Sequence, residues 1–524
     1  MLRKLQNYVL YAYLIIMLGI FPLFYRKQYS GMGNAKFKLF LYSSAVCIAV
    51  LIVLSILQYA VDTCKDFSTV FSRRYLTYSI TDLFVIFYYG AVLCSFLFSD
   101  FKEEALLGAA GWSMGLAAQT VFFFSYFYLS RRLQFQKWIL YVLFGSSGVV
   151  FLLGILHRFY LDPLGIAVGL SESQRLQFLS TIGQSSWYSS FICTVLPLGV
   201  FVFYASKNKR ERIWSCLYTV LAFMTLVTQN TDSAYLALLA MLLVLFYVSF
   251  DSRWQMKRFW QLILNILASF KGMGLLQLMA GEHTASLDSL SIFMSRSMWT
   301  TALFILILCG YLFCYGKNRI PADNQPIKRT VFYVLAVIMS VSLAVLITFI
   351  VCNSNGFLVR KWGYCNTNNY LLFQNNWGNN RGFSWKFSMM SFKDFSVFRK
   401  LFGIGPDCFK AYHYGITEYA ELLNSYWGGL SLTNAHNEYL TILLDLGIVG
   451  LLSFLLMLCV GLYRFVKNRK DNIYLSAFAL VIAAYAAHNF FCYQQVCCTP
   501  FLFILMGIGE NMIRNKEIFL TDKI

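Results

Sequence analysis

The chain has 524 residues, 58% of them hydrophobic and only 13% charged, with a mean hydropathy of +0.59. That leaves too little polar surface for a water-soluble globule, and apolar runs near the roughly 20 residues that cross a bilayer recur from end to end. The formal charge of +19 could suit a nucleic-acid partner, but the cations fall in loop after loop on one side of the predicted helices, where anionic lipid headgroups account for them, so no nucleic acid is implied.

In chain order, spans are predicted near 8–25, 38–61, 79–98, 105–129, 138–157, 187–205, 213–229, 233–250, 259–280, 298–316, 331–352, 438–463, 473–491 and 497–513. The fold class is an all-α integral membrane protein with about fourteen (12–14) transmembrane helices. The least regular runs are 79–98, which includes Asp82, and 259–280, which is interrupted by Lys271 and Gly272. The first run follows Arg3-Lys4 and ends in Ile20-Phe21-Pro22-Leu23 without a small-residue cleavage site, so it reads as an uncleaved span. Three parts follow: a bundle over 1–352 (spans 1–11), a large polar loop over 353–435 with short surface helices, where chemistry is expected, and 436–524, a transmembrane hairpin and last span with a tail.

Short loops rich in Lys and Arg stay cytoplasmic. With the amino terminus inside, that side collects Arg3, Lys4, Lys65, Arg73, Arg74, Arg131, Arg132, Lys137, the 207–212 and 253–258 clusters, Lys317, Arg319, Lys328, Arg329, the 464–470 cluster, Arg514, Lys516 and Lys523. Both termini are therefore expected in the cytoplasm and 353–435 outside; only the first outer loop, with Arg26, Lys27, Lys36 and Lys38, fits poorly. Tryptophans 138, 187, 214, 254, 260 and 299 stand near span ends, as interfacial anchors do. None of the 14 cysteines forms a C-x-x-C pair, which argues against a zinc site, and Cys352, Cys365 and Cys408 are placed to pair outside.

One sizeable outer interruption precedes the large one. It runs over 158–186 and carries Arg175, a second external cation, before Thr181-Ile-Gly183-Gln-Ser-Ser-Trp187-Tyr188. The large segment changes character halfway. Its first part, 353–380, crowds asparagines among Trp362, Tyr364, Tyr370 and Trp377; amides with aromatic faces bind sugars, and the same residues also form loops and sit at headgroup level. From Arg381 to Lys400 apolar residues recur at three- and four-residue steps, predicting a helix lying on the membrane, with Arg381 and Trp385 on one face. Gly403-Ile-Gly405-Pro406 marks a tight turn that brings the backbone close to something.

Two residues stand out chemically. Arg381 offers a planar, permanently charged donor set matched to phosphate oxygens, against the reading of an interfacial arginine reaching for headgroups. His436 precedes a strongly apolar helix and could take a proton from an attacking hydroxyl, against the reading of a polar residue in a cap region with Asn434 or Asn437 as the cap. Of the other histidines, His157 ends a span, His283 and His413 are expected in loops, and His488 should bond to a neighbouring helix. The intramembrane charges Asp82, Asp232, Lys271, Asp445 and Glu510 are sparse and scattered, unlike the midplane arrangement of a coupled carrier.

The order of these pieces resembles the O-antigen ligase and O-antigen polymerase superfamily of bacterial membrane glycosyltransferases. The motifs that carry the resemblance are Arg381-x-x-x-Trp385, Gly403-x-Gly405-Pro406, and His436-Asn437-x-x-Leu440 followed by Gly447 and Gly450, with Thr181 to Leu198 as an upstream match. One departure is Thr231-Asp232-Ser233, where many members open a span with Ser-Arg. The resemblance implies glycosyl transfer on the outer face of the bacterial cytoplasmic membrane, from a polyprenyl-diphosphate-linked oligosaccharide donor to a glycan hydroxyl acceptor, with no metal, nucleotide or other cofactor. His436 and Arg381 would be catalytic; Arg175, Trp385, Gly403, Gly405 and Asn437 would bind substrate. A flippase or other carrier of the same lipid-linked oligosaccharide would also hold diphosphate against cations and is the competing expectation.

Overall fold

The computed structural model describes residues 1–65, 78–316 and 319–521, apart from the side chains of 65 and 516–521. Arg73, Arg74, Lys317 and Lys523 of the basic set lie outside the described residues. Within them the chain is helical but for one two-stranded hairpin, β1 (Phe178–Leu179) with β2 (Gly183–Gln184). The helices are α1 (Leu2–Leu14, running on as a π-turn over Ile15–Ile20), α2 (Gln28–Lys65), α3 (Ile80–Phe98), α4 (Lys102–Leu107), α5 (Leu116–Arg132), α6 (Trp138–Arg158), α7 (Glu172–Gln177), α8 (Ser185–Ala205), α9 (Lys209–Thr228), α10 (Asp232–Ser249), α11 (Arg253–Ala280), α12 (Ser289–Arg296), α13 (Met298–Tyr311) and α14 (Thr330–Ser354). The outer segment adds α15 (Phe357–Trp362), α16 (Trp377–Asp394), α17 (Val397–Phe402), α18 (Phe409–Tyr414) and α19 (Thr417–Trp427). The bundle closes with α20 (Glu438–Asn468), α21 (Tyr474–His488) and α22 (Thr499–Thr521).

Among the described residues, nine helices are long and apolar enough to cross a membrane, and Tyr474–His488 is a shorter apolar one. The protein is thus an all-helical, multi-pass membrane protein. Every expected span falls on a helix, although 105–129 does not form one run. Gly108 and Gly111 adopt positive φ and turn the chain, so α5 begins only at Leu116. Likewise 473–491 ends early: α21 stops at His488, and 489–498 forms a non-helical strap.

The bundle wraps around α8, which is buried along its whole length, while α14 presents nearly all its surface outward. Lipid is an adequate partner for such a helix, because its backbone groups are satisfied within the helix. At one end of the bundle the basic residues do more than meet headgroups. Asp82, buried in the first turn of α3, bonds Arg131 at 3.0 Å and Arg514 at 2.6 Å and closes a capping box with Ser79. Asp251 bonds Arg329 and Arg469, and Glu510 bonds Arg464 at 2.7 Å. Asp82 and Glu510 are therefore members of ion clusters that tie helices together, and the Lys271 ammonium donates to Ser297 and Thr300.

The outer segment has its own small core, in which Phe383, Phe387, Phe395, Ile404, Phe409 and Leu423 pack with Leu444 of α20. The predicted surface helix is two helices. Asn379 and Asn380 are left-handed, so the regular part of α16 opens at Arg381, and Ser396 then caps α17 by accepting from the Arg399 amide. His413, expected in a loop, is buried in α18, with Nε2 against Ser391 Oγ and Nδ1 against the Phe409 carbonyl, both at 2.7 Å. The described cysteines, Cys352, Cys365 and Cys408 included, are all free.

Candidate active site

The site is assembled by a helix that breaks. In α20, Gly447 has φ +71°, and a Cβ there would lie 2.3 Å from the Leu401 carbonyl at the end of α17. Gly403 mirrors it with φ +76°; its Cβ would lie 2.2 Å from the Asp445 carbonyl oxygen. The two glycines interlock because neither carries a side chain. The break leaves carbonyls of α20 without helical partners, and the turn fills them: the Ile404 and Gly405 amides donate to Leu444 and Asp445 at 3.1 and 3.0 Å. Ser95 donates to the same Asp445 carbonyl at 2.6 Å. What the Gly403–Pro406 turn approaches is therefore the broken helix, and Gly405 faces Ser99 and Cys408 in the same way.

This clamp holds the first turns of α20 and the residue before its cap. Asn437 is the N-cap, its side-chain oxygen accepting from the Leu440 amide at 3.0 Å. His436 sits just outside at φ +50°, a left-handed conformation that costs a non-glycine residue about 1–2 kcal/mol. Its amide donates to the Asn434 side chain at 2.9 Å and its ring packs edge-on to Tyr493 at 5.5 Å. Neither ring nitrogen has a hydrogen-bond partner among the described residues. Burial, and then the Arg381 charge, push the imidazole pKa down to about 4.

Arg381 comes to the same place from α16. Its Nε donates to the Phe491 carbonyl at 3.1 Å and its Nη1 to the Gly378 carbonyl at 2.7 Å, while the guanidinium lies 5.9 Å from the Phe491 ring centre. These bonds fix the fork and leave Nη2 without a hydrogen bond among the described residues. Burial lowers the guanidinium pKa, with Cys492, Tyr493 and Asp232 opposing that shift, and an arginine stays charged at any physiological pH regardless.

Trp385, one turn further along α16, stacks on Phe491 at 5.9 Å and meets Phe490 edge-on at 5.5 Å. With Phe373, Met389, Asn437, Tyr439, Leu440 and Phe490 it lines an open groove of about 430 Å³ whose wall is almost wholly apolar, with Lys386 at its edge. Arg381, Trp385, His436 and Asn437 are thus brought together, and Gly403 and Gly405 support them from behind. Arg175 is not brought into this cluster: it is exposed on the short α7, with no side-chain partner among the described residues.

Sequence reasoning missed the strap. Phe491 orients Arg381, Tyr493 packs on His436, and the Asn489 carbonyl accepts from the Glu438 amide at 3.0 Å. The available signal was Gln494-Gln495, polar residues inside an otherwise apolar run.

An oriented arginine and a histidine whose ring has no hydrogen-bond partner among the described residues thus stand together at the rim of a multi-pass helical bundle, beside an apolar groove. The family model described as O-Antigen ligase matches residues 283–455, a span containing Arg381, Trp385, Gly403, Gly405, His436 and Asn437. Over those residues the chain is similar to the O-antigen ligase family, a likeness that supports a glycosyltransferase-like role in polysaccharide biosynthesis. No curated protein matches the chain.

Proposed function

We propose that the protein transfers a polyprenyl-diphosphate-linked oligosaccharide to a hydroxyl of a glycan acceptor on the outer face of the bacterial cytoplasmic membrane, as a polymerase or ligase of surface polysaccharide. About fourteen crossings with both termini in the cytoplasm would put 353–435, and the site, outside. The observation that carries this reading is the convergence of Arg381 and His436 beside the groove lined by Trp385, Tyr439 and Phe490.

Each part has a task. The open groove suits the polyprenyl chain, and the Arg381 fork stands ready for the diphosphate, which needs charge neutralisation more than covalent help because it is already a good leaving group. His436 is neutral at physiological pH and so can accept a hydroxyl proton; its left-handed backbone fixes where the ring points. Trp385 and Asn437 position the donor's lipid and the cap that holds the histidine. Arg175, exposed on α7 and apart from this cluster, would meet the donor only beyond the groove, along its outer end. Nothing in this scheme requires a metal or cofactor.

The test is glycan chain length in cells with the gene deleted and restored, beside cells carrying His436→Ala at matched membrane level. Transfer predicts that lipid-linked single units build up in the deletion and in His436→Ala, and that long chains return with the wild-type gene. A carrier would keep moving substrate with His436→Ala, and that result would sink the proposal.

A further inference from the structure

Tyr493, the neighbour of His436, also walls a small chamber of about 30 Å³, enough for about two water molecules. Three carboxylates face it: Asp407, delivered by the Gly403–Pro406 turn, and Glu438 and Asp445, about two turns apart on one face of α20. Their exposures are 7%, 1% and 5%. Among the described residues, no lysine or arginine lines the chamber.

The three are held differently. Glu438 is tied at both oxygens, by the Tyr485 hydroxyl at 3.0 Å and by the Asn489 amide. Asp407 Oδ2 accepts the Ala109 and Met114 amides, both at 2.8 Å. Asp445 takes backbone hydrogen bonds from Asp407 and Phe409, yet its Oδ1 is buried without a partner among the described residues. A buried carboxylate oxygen left unbonded is costly, and water or a shared proton is the ordinary remedy. Burial pushes Asp407 up to about 7, whereas His436, pushed down to about 4, is a poor place to leave a proton.

We propose that this chamber receives the proton that His436 removes from the acceptor hydroxyl, with Asp407 and Asp445 sharing it through enclosed water. This rests on the transfer reading above. The acceptor oxygen bonds to the donor's anomeric carbon while the bond from that carbon to the diphosphate oxygen breaks, and the diphosphate leaves with the electron pair. The proton passes from hydroxyl to imidazole, to water, to carboxylate, so no further reactant is needed. Asp407 is a proton-accepting positioning residue, not a contact for the sugar. The titratable groups around the pair are Glu104 of α4 with Lys410 near it, Cys408, Tyr88, Glu438 and Tyr493.

Because the carboxylate must be ionised to accept, transfer by the wild-type protein in vesicles should fall as pH drops through about 7. Asp407→Asn keeps an acceptor for the Ala109 and Met114 amides. It should slow turnover about tenfold at unchanged KM for the lipid-linked donor and erase that inflection; Asp445→Asn should do the same, and the double variant should be no worse than either. Wild-type turnover and an intact inflection in Asp407→Asn would overturn the proposal while leaving the transfer reading standing. Should the variants fail to fold, infrared titration of carboxyl groups in the wild-type protein decides: a carboxyl titrating near neutral pH supports the chamber, and none doing so overturns it. If the wild-type protein shows no transfer at all, the transfer reading fails, and the same infrared result still judges the chamber.

Discussion

His413 and His436 lie in the same outer segment, and burial pushes both rings down to about pH 4, yet they are opposites. His413 is bonded at both nitrogens, to Ser391 and the Phe409 carbonyl, and is packed between Phe387 and Phe409. His436 keeps both nitrogens without partners among the described residues and sits on left-handed backbone beside a fixed cation. A perturbed titration therefore does not by itself separate a structural ring from a reactive one; the bonding at the two nitrogens does.

The sharpest way to break the comparison is to remove each ring. His436→Ala should cut transfer about a thousandfold with the melting temperature in detergent little changed, whereas His413→Ala should lower the folded yield yet leave turnover per folded molecule within about twofold. Near-normal transfer by His436→Ala, or a large per-molecule defect in His413→Ala, would dissolve the distinction. Arg381→Gln should cost about a hundredfold in turnover, with Arg381→Lys recovering only part of it, because an ammonium cannot reproduce the oriented fork. Vesicle assays at saturating donor would read this.

Acid probes the buried rings more gently. With folded pKa values near 4 and about 6.5 for an unfolded histidine, the unfolded chain binds more protons between those limits, so stability should fall as pH drops from about 6.5 towards 4. His413→Gln should flatten that slope, and a melting curve as steep as wild type would count against a neutral, buried ring. The smallest effect concerns the cap: Asn437→Ala should cost about 1 kcal/mol of stability, visible as a modest loss of melting temperature.

Sequence made the helical class legible because apolar runs of membrane length need no tertiary information, and it exposed Arg381, His436 and Asn437 because each begins a helix with a recognisable pattern. It could not show what Gly403 approaches, since the partner is a helix broken at Gly447, and a glycine inside an apolar run looks like any other. Nor could it tell Asp82 or Glu510 from functional intramembrane charges, because their arginines stand far away in the chain. His413 was obscured by short helices whose boundaries are set by packing rather than by caps. The strap at 489–498 was hidden because Phe490 and Phe491 extend an apolar run past the point where the helix ends.

The left-handed turn at residue 436 has an evolutionary corollary. Glycine adopts that geometry freely, so a screen selecting only for heat resistance should repeatedly recover His436→Gly, and every such hardy clone should be enzymatically dead. Durability and chemistry pull against each other at this one position, and the persistence of a bulky residue there marks which of the two the chain has kept.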